Sequence, residues 1–158
     1  MKVCEEFYIN GEWVKPVNDL KTLDVINPAT EEVYGRIALG DKDDVDAAVE
    51  AAYTAFESFG YSSVDERVSL LEKILEIYQG KYDEIAETIS SEMGAPIGLS
   101  KAAQAATGLG HFSTALETLK NYKFEEVKGS ALIRKEPIGV VGMITPWNWP
   151  INQISCKV

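Results

Sequence analysis

The chain has 158 residues, 46% apolar and 25% charged, with a formal net charge of −10 at pH 7, a mix that fits one globular core rather than a disordered or fibrous chain. Its acidity repels phosphate backbones, and its longest apolar run, residues 138–144, falls far short of the roughly 20 residues a bilayer span needs, so neither a nucleic-acid nor a membrane partner is expected. The opening MKVCEEFYING has no apolar core of signal-peptide length and the two cysteines, Cys4 and Cys156, suggest no disulfide framework, so a cytoplasmic protein is expected.

Residues 7–39 predict a small antiparallel meander. Phe7–Ile9 and Trp13–Val14 flank Asn10-Gly11, a dipeptide suited to a two-residue hairpin turn because both positions need positive φ. Leu23 and Val25, then Val33, Gly35 and Ile37, continue a two-residue alternation around the turn Asn27-Pro28-Ala29-Thr30.

From residue 41 the period changes to that of helices. Val45, Ala48, Val49, Ala52, Phe56 and Phe59 form an apolar stripe, with Asp41 as the expected N-cap. A second helix starts at Ser63, where Glu66 completes a capping-box pattern. Its stripe runs through Leu71, Ile74, Leu75 and Tyr78, kinks at Gly80, and continues through Ile85, Ala86, Ile89 and Met93 to a stop at Gly94-Ala95-Pro96. The third helix, about 99–122, is thin in its first half because Ala102, Ala103, Ala105, Ala106, Gly108 and Gly110 dominate it, so a neighbour can approach closely.

Strand character returns over 125–144. Ala131–Arg134 leads to Pro137, which makes this piece an edge strand. The unbroken run Ile138–Ile144 predicts a strand covered on both faces, as in a parallel sheet. Pro150 suits the first turn of a following helix. A single covered strand cannot satisfy its own backbone groups, so either it pairs with the meander or, the favoured expectation, the chain is the front part of something longer, with exposed apolar surface and a tendency to self-associate.

The densest chemical signal is Ile144-Thr145-Pro146-Trp147-Asn148-Trp149-Pro150. On its residues alone it reads as a rigid turn with buried indoles and Asn148 bonded to local backbone, or as a site at the carboxyl end of a strand, with the Asn148 amide an uncharged donor for a developing oxyanion. The whole segment Pro137–Pro150 is very similar to the P-x-G-V-x-x-x-I-x-P-W-N-[FWY]-P motif of the NAD(P)-dependent aldehyde dehydrogenase superfamily. Tyr8–Val14, Val25–Thr30 and Asp43–Phe56 resemble that family's opening strands and first helix, so the resemblance covers nearly the whole chain.

The resemblance implies an α/β fold of aldehyde-dehydrogenase type, N-terminal part only: meander, helices and a first Rossmann-like strand–loop–helix. Residues 1–125 and 138–158 would belong to the cofactor-binding domain and 126–137 to the oligomerisation strands, with the catalytic domain absent. It implies oxidation of an aldehyde to a carboxylic acid with NAD or NADP through a cysteine thiohemiacetal, in a homo-oligomer. Asn148 matches the oxyanion-steadying asparagine, Lys157 a lysine implicated in proton relay, and Ile144, Thr145, Pro146 and Trp147 the segment lining the cofactor cleft. Lys157 reads equally as a solvated helix lysine. The family's nucleophilic cysteine and general-base glutamate have no counterpart here, so this chain alone is expected to be inactive. Cys156 reads as a packed thiol, Cys4 as part of a frayed terminus, and the sole histidine, His111, as structural, with no metal site expected. Two rival readings are a non-enzymatic helical interaction module and a member of the same fold that performs semialdehyde or acyl-phosphate chemistry.

Overall fold

A computed structural model describes all residues, 1–158. In chain order the strands β1 (Lys2–Cys4), β2 (Phe7–Ile9), β3 (Glu12–Val14), β4 (Lys21–Ile26) and β5 (Val33–Leu39) precede the helices. These are α1 (Lys42–Phe59), α2 (Val64–Gly80), α3 (Tyr82–Met93), the single turn α4 (Ile97–Leu99), a π-helical segment Ser100–Gln104, and α5 (Ala105–Asn121). A hairpin of β6 (Glu125–Lys128) and β7 (Ala131–Arg134) and a short α6 (Pro150–Ser155) follow.

The expected meander divides in two. β2 and β3 form a hairpin by themselves, turning through Asn10 (φ 53°) and Gly11 (φ 82°). β4 and β5 pair antiparallel in a separate sheet whose third strand is β1, parallel to β5. The stretch between β3 and β4 explains the split. Pro16 has no N–H, the Val17 N–H donates to Asp44 Oδ1 at 2.8 Å, and Asn18 Nδ2 donates to both Asp41 and Asp43. That loop is committed to the start of α1 and offers no ladder. Cys4 lies in the ordered β1, and the strand fits closely because Gly35 opposite has no side chain: a Cβ there would sit 3.0 Å from the Lys2 carbonyl oxygen.

Both expected helix starts hold. Asp41 caps α1 in a box closed by Asp44, and Ser63 caps α2 in a box closed by Glu66. The inward face of α1 differs from the apolar stripe. Val45, Ala48, Val49, Ala52 and Phe59 are exposed and only Phe56 is half-buried, whereas Asp44 is buried. Asp44 accepts from both the Val17 and Asp41 N–H groups, so polar contacts set the helix's rotation. At Gly80 the kink is a full break, with Lys81 (φ −107°, ψ 8°) separating α2 from α3. α3 ends on Gly94 in the left-handed conformation, packed so closely on Pro28 that a Cβ would lie 2.6 Å from its ring.

The core sits where α2, α3 and α5 meet, around Tyr78, Ala86, Ile89, Ala105, Phe112 and Leu116. The thin half of α5 permits it. Tyr78 lies against Gly108, where a Cβ would be 2.2 Å from its hydroxyl, and meets Phe112 edge-on with ring centroids 6.2 Å apart. Only 13 of 158 residues are buried, so this cluster is small for the length of chain it must hold.

The expected strand over residues 138–144 has no ladder. No other strand lies free beside it, and Ile138 and Ile144 are 94% and 99% exposed. An apolar run becomes a covered strand only where neighbours supply both backbone partners and a lid, and this stretch has neither.

Candidate functional site

Two anchors hold the loop from Thr145 to Trp149 in place. Pro150 occupies the first helical turn of α6, where its missing N–H costs nothing, and Gln153 N–H donates to the Trp149 carbonyl at 3.0 Å. α6 in turn rests on α5: His111 Nε2 lies 2.7 Å from Asn152 Oδ1, and Ser155 is buried with its hydroxyl donating to the Ile151 carbonyl. The histidine thus has the structural role expected of it.

The second anchor is one that the sequence reading missed. Gln104, only 3% exposed, donates from Nε2 to the main-chain carbonyl of Asn148 at 3.4 Å. The signal available was a single amide side chain inside Ala102-Ala103-Gln104-Ala105-Ala106, a surround with no other polar side chain.

Asn148 itself is exposed. Its main chain is engaged by Gln104, while its carboxamide makes no hydrogen bond within the chain. Of the two readings open at the loop, local saturation of that amide is therefore not what is found. Nor does Trp147 bury its indole, at 77% exposed, although Trp149 is half-buried. Ile144, Thr145 and Pro146 are also exposed, so the four residues that the resemblance implies for a cofactor cleft are all open to solvent, and none carries a charge. Asn148 lines neither the groove of Phe56, Tyr122 and Pro137, nor that of Val3 and Leu20, nor that of His111 and Val158.

Lys157 stands apart from this loop. Its ammonium turns back on α6 and donates to the carbonyl and the side-chain oxygen of Gln153, each at 3.0 Å, which places a cation on the helix's carbonyl end. Cys156 is exposed rather than packed: α6 ends there and nothing covers the thiol, whose sulfur is 3.6 Å from the Lys157 nitrogen. The groove between α5 and the end of α6, about 460 Å³, is lined by His111, Leu119, Tyr122, Phe124, Cys156 and Lys157 among others.

Residues 13–158 match the model of the aldehyde dehydrogenase family. The chain belongs to that family. It is 49% identical over 159 residues to a Pseudomonas protein named 3-succinoylsemialdehyde-pyridine dehydrogenase, covering all of this chain and 33% of that protein. Its fold is similar to the aldehyde dehydrogenase of Bartonella henselae, with a TM-score of 0.94 and 43% identity over 98% of this chain and 33% of the other. It is also similar to a variant of aldehyde dehydrogenase C from Pseudomonas syringae in complex with NAD+ and octanal, with a TM-score of 0.93 and 41% identity over 96% of this chain and 31% of that one. The chain therefore spans about a third of the length of the relatives it matches, and its fold is the expected α/β, aldehyde-dehydrogenase type. No helix in it is long and apolar enough to cross a membrane.

Proposed function

We propose that this chain forms part of a cytoplasmic, homo-oligomeric enzyme that oxidises an aldehyde to a carboxylic acid with NAD or NADP, and that Asn148 donates a hydrogen bond to the oxyanion formed on the way. One observation carries the reading: the Asn148 carboxamide is free while its main chain is held. An amide donor attracts developing negative charge without titrating, and a donor already positioned needs no reorganisation when that charge forms. Residues 1–125 and 138–158 would contribute to the cofactor-binding domain. Residues 126–137, which take in most of the exposed β6–β7 hairpin, would contribute to contacts between subunits.

The surface before Asn148 fits the uncharged end of a dinucleotide. Ile144 and Trp147 offer apolar and aromatic faces, Thr145 a hydroxyl, and none of the four residues carries a charge that would compete with a neutral ring. Ile144, Thr145, Pro146 and Trp147 would therefore hold NAD or NADP on that side, which supplies the hydride acceptor when bound. The aldehyde carbon would be attacked by a cysteine thiolate from outside this chain, turning the carbonyl oxygen into the oxyanion that Asn148 receives. Lys157, at the opposite end of α6 from Asn148, would hold a proton for transfer to or from solvent. The isolated chain should form no NADH from any aldehyde.

Asn148→Ala in the full-length enzyme should lower kcat by about 10²-fold or more with cofactor affinity little changed, the size of effect seen on loss of one oxyanion donor. Turnover preserved within about a factor of two would remove Asn148 from the mechanism. Within the same reaction class, the 49% identity to a protein named for a semialdehyde favours a semialdehyde as the substrate. Comparing kcat/KM for semialdehydes and for simple alkanals such as octanal tests that choice.

A further inference from the structure

The π-helical segment Ser100–Gln104 is an irregular stretch leading into α5. There the Ala105 N–H reaches back five residues to the Ser100 carbonyl, a turn that is uncommon in helices and often found at functional sites. Two tyrosines from the facing helices meet carbonyls in and beside it. Tyr78 Oη donates to the Ala105 carbonyl at 2.7 Å, and Tyr82 Oη donates to the Lys101 carbonyl. Burial pushes the Tyr78 hydroxyl up to about 12, with Tyr82 adding to it, so it stays protonated and able to donate. The last residue of the irregular segment is Gln104.

The Gln104 amide is oriented by what surrounds it. Nε2 faces two acceptors, the Asn148 carbonyl at 3.4 Å and Met93 Sδ at 3.9 Å, whereas Oε1 is buried with no partner. Exchanging the two atoms would set an oxygen against the Asn148 carbonyl oxygen, so the donor must point at the loop. A buried acceptor without a partner is costly, and a hydrocarbon side chain would avoid that cost. What the amide supplies in return is a single tie, across 44 residues of sequence, to the main chain of Asn148.

We propose that Gln104 is a positioning residue for Asn148. The π turn aims its amide at the loop, and the bond to the Asn148 carbonyl fixes the backbone from which the free carboxamide is presented. This rests on the oxyanion role given to Asn148 above. A misplacement of the donor should reduce kcat more than it reduces substrate or cofactor binding, because the oxyanion exists only after binding.

The test uses the full-length enzyme with Gln104→Met, which keeps the volume of the side chain and removes its donor, alone and together with Asn148→Ala. Gln104→Met should lower kcat about tenfold with KM for the cofactor and aldehyde changed less than about twofold, and should lower kcat no further once Asn148 is alanine. Unchanged kcat in the single variant overturns the proposal, as does an equal loss on both backgrounds, which would mark a packing effect independent of Asn148. If Asn148→Ala itself leaves kcat intact, the oxyanion reading falls and this proposal with it. A large loss in Asn148→Ala beside a harmless or additive Gln104→Met overturns the positioning role alone. Should Gln104→Met not fold, Gln104→Glu serves: a carboxylate opposes the Asn148 carbonyl, so its kcat relative to wild type should rise as pH falls and the side chain becomes a donor. A ratio independent of pH overturns the proposal.

Discussion

Two apolar stretches of this molecule meet opposite fates. Along α5, Ala105, Gly108, Phe112 and Leu116 are buried, and the neighbouring carbonyl of Ala105 is bonded by Tyr78. Along Ile138–Ile144 the residues are at least as hydrophobic, yet Ile138, Val141, Met143 and Ile144 are exposed and the backbone pairs with no strand. The difference is supply of partners. A helix satisfies its own backbone and needs one apolar neighbour, which α2 provides. A strand needs neighbours along both edges and covers on both faces, and none comes from these residues. The candidate site straddles the same division, because Gln104 lies on the partnered side and the exposed residues 144–147 on the unpartnered one.

The sharpest way to disturb the partnered side is to fill the gap that lets α5 approach α2. In Gly108→Ala the new Cβ would stand 2.2 Å from Tyr78 Oη and 2.4 Å from Cζ, so the ring must move and its bond to Ala105 loosens. Overpacking and the lost hydrogen bond outweigh the better helix propensity of alanine, and the expected net loss is about 1–3 kcal/mol. At Gly110, two residues on, nothing lies within 4 Å of a Cβ, and Gly110→Ala should stabilise by about 0.5–1 kcal/mol. Urea unfolding of the two variants measures opposite signs if the close approach is real; equal signs would refute it.

A smaller effect tests how the helices are started. The Glu66 carboxylate accepts from the Ser63 N–H at 2.7 Å and the Ser63 hydroxyl at 2.9 Å, and those bonds, the backbone one first, hold it below its ordinary 4.5. A folded value below the unfolded one means stability that is present above the unfolded value and lost as pH falls through the folded one. Ser63→Ala removes the cap and should cost about 1 kcal/mol at neutral pH. The gap in Tm between it and wild type should narrow as pH drops below 4.5 and through the lowered folded value, beneath which both carry a protonated Glu66. A gap constant with pH would mean that the carboxylate takes no part.

These two tests mark what could be read from residues alone. Helix starts were legible because a cap is written within four residues, as in Ser63–Glu66, and the hairpin at Asn10-Gly11 because one dipeptide decides it. The close helix contact was legible from the run of small residues around Gly108. The rotation of α1 was not, since it depends on Asp44 meeting Val17, 27 positions away in sequence. The same holds for β1 pairing with β5. At the candidate site, the loop around Asn148 stood out by its motif, whereas its tie to Gln104 did not, because a π turn carries no sequence period and only the folded contact shows what the amide holds.

The smallest expected effect addresses the unpartnered side directly. Ile144 is 99% exposed, so Ile144→Ser removes almost no buried area within this chain and should leave its unfolding free energy unchanged within about 0.5 kcal/mol. Its effect on association should be of a different kind. The stretch Ile138–Ile144 presents an apolar, unpaired backbone edge, the type of surface through which chains add to one another. Breaking it with a hydroxyl should raise the concentration at which the isolated chain stays monomeric in sedimentation. If Ile144→Ser instead destabilised the monomer as much as Gly108→Ala does, the residue would be part of a packed core in solution. The contrast between the two stretches would then have no physical basis.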